Sequence, residues 1–438
     1  MAIRYIKQAQ PRSKAAASDL RDTVQFMLSD IEAEGEARAL YYAETFDRWT
    51  ADVVLSPEDR AAAVARLGDD VKDPIRFAHD NIRRFAEAQK ATLSDFTVEL
   101  LPGHFAGQRQ IPVGSAGCYV PGGRYAHVAS ALMTVTTAKV AGVAHVTAAS
   151  PPRGKAGIPD EVVFAMDLAG ADHILTLGGV QAVAAMALGL FGTVPADILA
   201  GPGNAFVAEA KRQLFGRVGV DMFAGPTDSL VIADVTADAR VVAVDLAGQA
   251  EHGPDSPVWL VTDNAQLGAE VARLMPTVIA DLPEANRKVA AQAWAALGEI
   301  ILCDTREDMA ATADRIGPEH LHVQAADLDW WLNRLSVYGS LFLGAGTTVS
   351  FGDKASGPNH VLPTSGAARY TGGLSVQKFT KTVTWQRTRG TSVDRLAQAS
   401  SAISRAEGMV GHALSAELRL AGREAGASDV VAFAALQA

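Results

Sequence analysis

Short runs of β-forming residues alternate with alanine-rich helical stretches from residue 110 onward. Residues 117–120 and 145–149 have the composition of strands, and residues 128–141 between them have that of a helix. A second series of the same kind runs over residues 229–303. Strands joined by helical crossovers lie parallel in one sheet. The sequence therefore predicts an α/β fold with two Rossmann-like, doubly wound domains.

Helical patterns flank this α/β region on both sides. Apolar residues recur at helical spacing within residues 16–49 and again within residues 56–92, which predicts a helical N-terminal segment. Residues 402–420 predict an amphipathic helix in a C-terminal helical arm. Four aromatic residues of the N-terminal segment are interpreted as core residues: Tyr41, Tyr42, Phe46 and Trp49.

The composition limits the classes of function open to the chain. A formal net charge of −10 over 438 residues, without a dense block of Lys or Arg, argues against a nucleic-acid-binding protein. The two cysteines, Cys118 and Cys303, support neither a disulfide scaffold nor a thiolate zinc site. No stretch approaches the roughly 18 apolar residues of a membrane span, and the charged start of the chain does not resemble a signal sequence. We therefore expect a cytoplasmic enzyme.

Three glycine-containing loops follow strands of the first α/β series, at residues 121–123, 178–181 and 201–204. In a doubly wound sheet, ligands bind at the loops that follow the carboxyl ends of the strands. Each loop would bring backbone N–H groups close to a phosphate at a helix N-terminus. None has the usual glycine fingerprint, and each singly is also explained as a tight turn. Together they predict a nucleotide site of atypical form.

An amide and an imidazole converge near the end of the helix that opens the second α/β series. Gln249 and His252 are three residues apart, so they lie on one face of a helix that stops at Gly253 and Pro254. An amide oxygen together with an imidazole nitrogen suits a divalent metal, with zinc or a neighbouring first-row ion favoured. Taken alone, the pair is more often a helix cap than a ligand set.

A second group of polar residues lies further along the chain. Glu319 and His320 are adjacent at a turn-to-strand junction, where an acid and an imidazole would divide general acid–base work between them. On a strand the two side chains would point to opposite faces, so a surface glutamate beside a structural histidine is the alternative. The glycine-rich loop of residues 344–364 contains Asp353 and His360, and loops of that length are commonly functional.

Taken together and in this order, the motifs resemble those of the histidinol dehydrogenase family. The similarity extends over nearly the whole chain. A chance explanation exists for each motif alone but not for their joint occurrence. The matching motifs are CYVPGG (118–123), GPGNAFV (201–207), QAEHGPD (249–255), PEHL (318–321), Gly352-Asp353 with NHVLPT (359–364), and Glu407-Gly408 with His412.

The resemblance implies a zinc ion, NAD and a set of residue roles. The family binds one zinc ion through an amide oxygen, two imidazoles and a carboxylate. The matching positions are Gln249, His252, Asp353 and His412. The acid–base pair of the family matches Glu319 and His320. Its NAD contacts match Tyr119, Gln181 and Asn204.

The resemblance also implies a homodimer in which the C-terminal segment crosses to the partner subunit. Glu407 and His412 are then expected to complete the site of the other subunit. We expect four parts: an N-terminal arm (1–22), an α/β domain that carries most of the site (23–110 and 236–372), a dinucleotide-binding domain (111–235) and a C-terminal dimerisation arm (373–438).

The chain departs from the family pattern where the substrate binds. A glutamate that the family carries four residues before the liganding aspartate is Val349 here, and a serine near the substrate is Ala129. Basic residues are present instead at Arg124, His127 and Lys354. Losing an acid and gaining basic residues is the wrong direction for cationic histidinol, whereas it favours an anionic substrate.

This pattern resembles the sulfopropanediol dehydrogenase branch of the family, which oxidises 2,3-dihydroxypropane-1-sulfonate to sulfolactate. We therefore expect a small anionic, hydroxylated substrate. The candidate substrate contacts are Thr227, Arg124, His127, Lys354, His360 and Glu407. Three alternatives stay open: a histidinol dehydrogenase, an aldehyde dehydrogenase with Cys303 or Cys118 as nucleophile, and a catalytically silent binding protein of the same fold.

Overall fold

A computed structural model describes residues 3–10, 17–122, 125–222 and 225–421 of the chain. Strands and helices alternate through most of these residues. The strands are β1 (Arg4–Lys7), β2 (Phe96–Leu101), β3 (His104–Pro112), β4 (Ser115–Tyr119), β5 (His145–Ser150), β6 (His173–Thr176), β7 (Ile198–Ala200), β8 (Gly219–Val220), β9 (Ser229–Ala233), β10 (Val258–Thr262), β11 (Glu299–Leu302), β12 (His320–Gln324), β13 (Ser340–Leu343) and β14 (Thr380–Thr388).

The helices are α1 (Ala17–Glu34), α2 (Glu36–Tyr42), α3 (Pro57–Arg66), α4 (Asp69–Ala91), α5 (Val128–Ala141), α6 (Asp160–Leu168), α7 (Gly179–Leu188), α8 (Ala205–Leu214), α9 (Ala239–Ala250), α10 (Ala265–Ala280), α11 (Glu284–Leu297), α12 (Arg306–Ile316), α13 (Leu328–Arg334), α14 (Val349–Gly352), α15 (Ser392–Ala406) and α16 (Val410–Ala421). A short π-helical turn, Ala43–Asp47, continues α2. None of the helices described is long and apolar enough to cross a bilayer.

The chain divides into two compact units. The first comprises the residues up to Ala91 together with Pro112–Phe379, and it contains both α/β sheets. The second comprises Thr92–Ile111 and the residues from Thr380 onward. The sequence boundaries did not anticipate that residues 92–111 group with the C-terminal part of the chain.

The five-stranded sheet of the first unit is parallel and has the order β6-β5-β4-β7-β8. From β4 the chain moves outward to β5 and β6, and then returns to the other side of β4 for β7 and β8. The strand order therefore reverses between β4 and β7, which in α/β sheets creates a crevice for ligands. Leu175 and Leu199 from the strands and Met186 from α7 form a core with α1, α2 and α8.

The six-stranded sheet has the order β1-β11-β10-β9-β12-β13. Its strands are parallel except for β1, which pairs antiparallel with β11. Leu230 packs in a core with α12 and α13, whereas the next residue, Val231, packs in a core with α9, α10 and α11. Alternate residues of each strand thus face opposite helical layers, and this explains why the strands read as continuous apolar runs.

The second unit contains a three-stranded sheet of order β14-β3-β2 and a helical pair. β2 and β3 form an antiparallel hairpin. α15 and α16 pack against each other, and Glu417 accepts hydrogen bonds from Arg405 and Ser401 across the pair. This unit accounts for the predicted C-terminal helices.

The helical N-terminal segment is confirmed. It differs from the prediction in two respects: the first helix is interrupted, and some aromatic residues assigned to the core are exposed. Gly35 breaks the first stretch between α1 and α2 and adopts a φ of 64°, a value that glycine accommodates without strain. Tyr42 is buried as predicted. Tyr41 and Phe46 are 53% and 60% exposed, so their assignment to the core was wrong.

Candidate active site

The C-terminus of α9 presents two of the predicted metal ligands. Gln249 lies in the last turn, whereas His252 lies just beyond the helix, where its backbone N–H donates to the Gln249 carbonyl over 3.3 Å. The Gln249 side chain is 4% exposed, and its Oε1 accepts no hydrogen bond from any described residue. A buried carbonyl oxygen without a partner is costly, so a ligand that uses its lone pair would stabilise the site.

Asp353 brings a carboxylate to the same place. It directly follows α14, and its Oδ2 lies 3.8 Å from His252 Nε2. Thr348, the N-cap of α14, donates from Oγ1 to Asp245 Oδ1 over 2.9 Å. Asp245 lies one turn before Gln249 on α9, so this hydrogen bond ties the helix that leads to Asp353 to the helix that carries the other two candidate ligands.

Gln249, His252 and Asp353 together fit a divalent metal ion. An unpaired amide oxygen, an imidazole and a carboxylate are donors that zinc accepts. No three His, Cys, Asp or Glu side chains of the described residues form a metal cluster by themselves, so this set depends on the glutamine. The fourth predicted ligand, His412, lies on α16 in the second unit and lines a groove there. Its participation stays a prediction.

Glu319 and His320 lie beside this set, at the amino-terminal edge of the six-stranded sheet. His320 begins β12 and Glu319 lies just before the strand, so the two side chains do not have to point to opposite faces. Glu319 Oε2 lies 3.7 Å from His320 Nδ1. The other ring nitrogen, Nε2, lies 3.1 Å from Asp353 Oδ1. Both side chains are buried. The alternative of a surface glutamate beside a structural histidine therefore does not fit.

Asp228 holds the acid–base pair in place. Its Oδ1 accepts the Glu319 backbone N–H over 2.6 Å, and its own N–H donates to Glu319 Oε2 over 3.1 Å. Its carbonyl lies 3.3 Å from His320 Nδ1. The sequence alone assigned no role to Asp228, because its partners are about ninety residues away in the chain.

Burial and neighbouring charges displace the pKa values of this group. Burial raises the pKa of Glu319 to about 8, against the opposing effect of His320. Burial alone would lower the pKa of His320, but the carboxylates of Glu319 and Asp353 outweigh it and raise that pKa to about 9. The hydrogen bond to His320 and the nearby imidazoles overcome burial at Asp353 and keep its pKa below its usual range. Such displaced pKa values are typical of acid–base catalysis.

His360 contacts Asp353 through one ring nitrogen and Ser130 through the other. Nδ1 lies 2.8 Å from the Asp353 carbonyl, and Nε2 lies 2.9 Å from Ser130 Oγ. Ser130 immediately follows Ala129, where the family carries a serine near the substrate. The chain thus retains a hydroxyl in this region, one residue later on α5.

His127 and Lys354 lie in the same electrostatic neighbourhood. Burial, followed by the positive charges of His360, Lys354 and His252, lowers the pKa of His127 to about 4. His127 is therefore neutral at neutral pH, and its interpretation as an added positive charge was wrong. It can offer hydrogen bonds to an anion. Lys354 is exposed and supplies positive charge.

The remaining predicted substrate contacts are distributed over the chain. Thr227 is half-buried and directly precedes Asp228. Arg124 lies outside the described residues. Glu407 caps the C-terminus of α15 in the second unit.

The three predicted NAD contacts line one cavity of about 570 Å³ at the carboxyl edge of the five-stranded sheet. Tyr119 ends β4, Gln181 lies in the first turn of α7, and Asn204 caps α8 by accepting hydrogen bonds from two backbone N–H groups. Phe46 and Asp47 of the π-helical turn line the same cavity. Both were missed from the sequence, because no motif links that turn to loops more than seventy residues away.

Backbone N–H groups of two glycine loops donate hydrogen bonds to protein atoms, whereas the sequence predicted contacts with a phosphate. The Gly178 N–H donates to Asp47 Oδ2, and the Gly179 N–H donates to Tyr119 Oη. The Gly201 N–H donates to Asp221 Oδ2. These three N–H groups therefore donate to protein atoms, and the nucleotide site itself stays a prediction. Gly201 has a φ of 111°, and a Cβ there would lie 2.1 Å from the Tyr119 carbonyl oxygen, which leaves room only for glycine.

Both cysteines are buried away from the acid–base pair. Cys118 lies on β4 with no exposed surface, and burial raises the pKa of its thiol to about 12. Cys303 is 2% exposed, and burial raises its pKa as well. A nucleophilic cysteine needs an accessible thiolate. The geometry therefore argues against an aldehyde dehydrogenase that uses either thiol.

Comparison with known proteins identifies the family. A family model described as histidinol dehydrogenase matches residues 10–420. The chain belongs to the histidinol dehydrogenase family. The crystal structure of histidinol dehydrogenase from Elizabethkingia anophelis is 32% identical, covers 95% of each chain and superposes with a TM-score of 0.88. The family resemblance predicted from the motifs is thus confirmed, as is an α/β fold.

Two relatives of the family from Ruegeria pomeroyi are more similar in sequence. One, named histidinol dehydrogenase homolog, is 64% identical over 96% of this chain and 97% of its own length. The other, named sulfopropanediol 3-dehydrogenase, is 60% identical over the same shares of the two chains. The family assignment makes this chain an oxidoreductase that acts on CH–OH groups. It leaves the substrate to be decided between histidinol and a sulfonated diol.

Proposed function

We propose that this protein oxidises the primary alcohol of 2,3-dihydroxypropane-1-sulfonate to the carboxylate of sulfolactate, using zinc and two molecules of NAD. The observation that carries the proposal is the change of charge beside the candidate metal site. Val349, in the position of a family glutamate, is 2% exposed, and Lys354 directly follows Asp353. The 60% identity with a sulfopropanediol 3-dehydrogenase supports the same substrate.

Zinc would be held by Gln249, His252 and Asp353, with His412 as the fourth ligand. When bound, it supplies a Lewis acid that orients and polarises the substrate oxygens. We place NAD in the cavity lined by Tyr119, Gln181 and Asn204, at the carboxyl edge of the five-stranded parallel sheet. The proposal includes a homodimer in which the C-terminal segment is exchanged.

The buried acid–base pair divides the proton transfers. The neutral form of His320, which predominates above its pKa of about 9, takes the hydroxyl proton of the alcohol. Glu319 then takes a proton at Oε2 from the water that adds to the aldehyde. Asp228 fixes both groups during these steps. In total, one alcohol, one water and two NAD yield a carboxylate, two NADH and three protons.

The substrate is tested by NADH formation with 2,3-dihydroxypropane-1-sulfonate and, in parallel, with histidinol. We expect turnover of the sulfonate with two NADH per molecule, because an uncharged, buried Val349 offers nothing to an ammonium group. Turnover of histidinol alone would refute the proposed substrate and leave a histidinol dehydrogenase with an altered pocket. Absence of NADH formation with either, in protein that binds zinc, would favour the catalytically silent alternative.

A Lys354→Met variant tests the anion preference directly. We expect the KM for the sulfonate to rise about 10-fold, since one charged hydrogen-bonding partner is removed, while kcat changes little. Steady-state kinetics should show no such rise for Lys288→Met, an exposed lysine on α11. An unchanged KM in Lys354→Met would remove this residue from the substrate site.

A further inference from the structure

The cavity that holds the predicted NAD contacts contains a carboxylate from outside the nucleotide-binding sheet. The π-helical turn Ala43–Asp47 brings Phe46 and Asp47 to its wall. Turns of this type are rare and are found frequently at functional sites. The next residue, Arg48, adopts a left-handed φ of 55°, a conformation that is uncommon for residues other than glycine. An ordinary helix end requires neither a π-helical turn nor a left-handed residue, so this local geometry is specific to this turn.

Asp47 is hydrogen-bonded through only one of its oxygens. Oδ2 accepts the Gly178 N–H over 3.1 Å and the Gln181 Nε2–H over 2.9 Å. Oδ1 accepts no hydrogen bond from any described residue. The carboxylate is thus fixed against the loop that follows β6 and retains a lone-pair oxygen for a ligand. The side chain is half-buried.

In dinucleotide-binding sheets, an acidic residue near the end of the second strand commonly binds the adenosine ribose. The second strand here, β5, ends at Ser150 and continues as Pro151-Pro152-Arg153, which contains no acid. Asp47 lies at the end of the adjacent strand, β6, on the same side of β4. It therefore occupies the half of the sheet that binds the adenosine in such folds, and Phe46 adds an exposed aromatic surface beside it.

We propose that Asp47 binds the ribose hydroxyls of the adenosine half of NAD and makes the enzyme reject NADP. The proposal rests on the function proposed above. Hydroxyl groups donate to the free carboxylate oxygen, whereas a 2′-phosphate would bring like charge against it. No Lys or Arg occurs among the described residues that line the cavity, so nothing there offsets that repulsion.

The test measures nucleotide binding to the metal-free protein, so it does not depend on the zinc site or the alcohol. Binding of NADH and NADPH is followed by nucleotide fluorescence in the parent protein and in Asp47→Asn. The asparagine oxygen still accepts from the Gly178 loop, but the charge is lost. We expect NADH affinity to fall about 10-fold to 100-fold, as for loss of a charged hydrogen bond, while NADPH affinity stays equal or rises.

Two further variants separate specificity from folding. Asp47→Glu keeps the charge, and we expect it to keep rejecting NADPH even if its NADH affinity drops. Glu44→Gln removes an exposed carboxylate from the same turn and should alter neither affinity. If Asp47→Asn leaves the ratio of NADH to NADPH affinity unchanged, the proposed role of Asp47 is overturned, while the proposed function is not affected. A parent protein that binds neither nucleotide would overturn the proposed NAD-dependent function as well.

Discussion

A Glu319→Gln variant is expected to carry out the first oxidation and to stall before the second. Glutamine keeps the oxygen that accepts the Asp228 N–H, so the variant should retain the local fold. It cannot take a proton from water, and the loss of a general base slows aldehyde hydration about 10²-fold to 10⁴-fold. We expect the NADH yield to fall from two toward one per substrate.

The half-reactions are separated by supplying the alcohol or the aldehyde under single-turnover conditions. The variant should oxidise the alcohol at nearly the parent rate, and a carbonyl-trapping reagent should detect the aldehyde. His320→Gln should show the reverse pattern, with the first oxidation lost. Glu307→Gln, an exposed carboxylate on α12, serves as the control and should behave as the parent does. Equal loss of both half-reactions in Glu319→Gln would show that the pair does not divide the work.

The α/β architecture was predictable because it depends on local patterns. Strands such as β9 and β10 are buried on both faces and therefore read as continuous apolar runs. The N-terminal helices were predictable because their apolar residues recur at helical spacing. The hairpin of β2 and β3 was missed, because Phe96–Leu101 is exposed along most of its length and lacks the apolar alternation of a half-buried strand.

The candidate site was predictable only where its residues are close in the chain or matched a known motif. Gln249 and His252 are three residues apart at one helix end, so the sequence pattern alone paired them. The charge of His127 was misjudged, because burial and four neighbouring basic groups act on it only after folding. The contact between Asp47 and Gln181 joins residues 134 positions apart, and no local sequence pattern at either residue predicts it.

Removal of the metal is expected to abolish activity. A substitution at Gln249 should test the metal site in a second way, through the stability of the metal-free protein. The buried Oε1 of Gln249 has no described partner, so a metal-free protein carries the cost of an unsatisfied acceptor. Gln249→Met removes that oxygen with little change in volume. We expect the variant to lose zinc binding and yet to raise the free energy of unfolding of the metal-free protein by about 1–3 kcal/mol.

Zinc affinity is measured by competition with a chromogenic chelator, and stability by denaturant unfolding in the presence of a strong chelator. Gln213→Met is the matched control, since Gln213 also has a buried Oε1 without a described partner but lies on α8, away from the site. It should leave zinc affinity unchanged. Opposite changes in metal affinity and apo stability follow only if Gln249 is held for a ligand. A Gln249→Met protein that is less stable without metal and binds zinc normally would mean that the glutamine serves the fold.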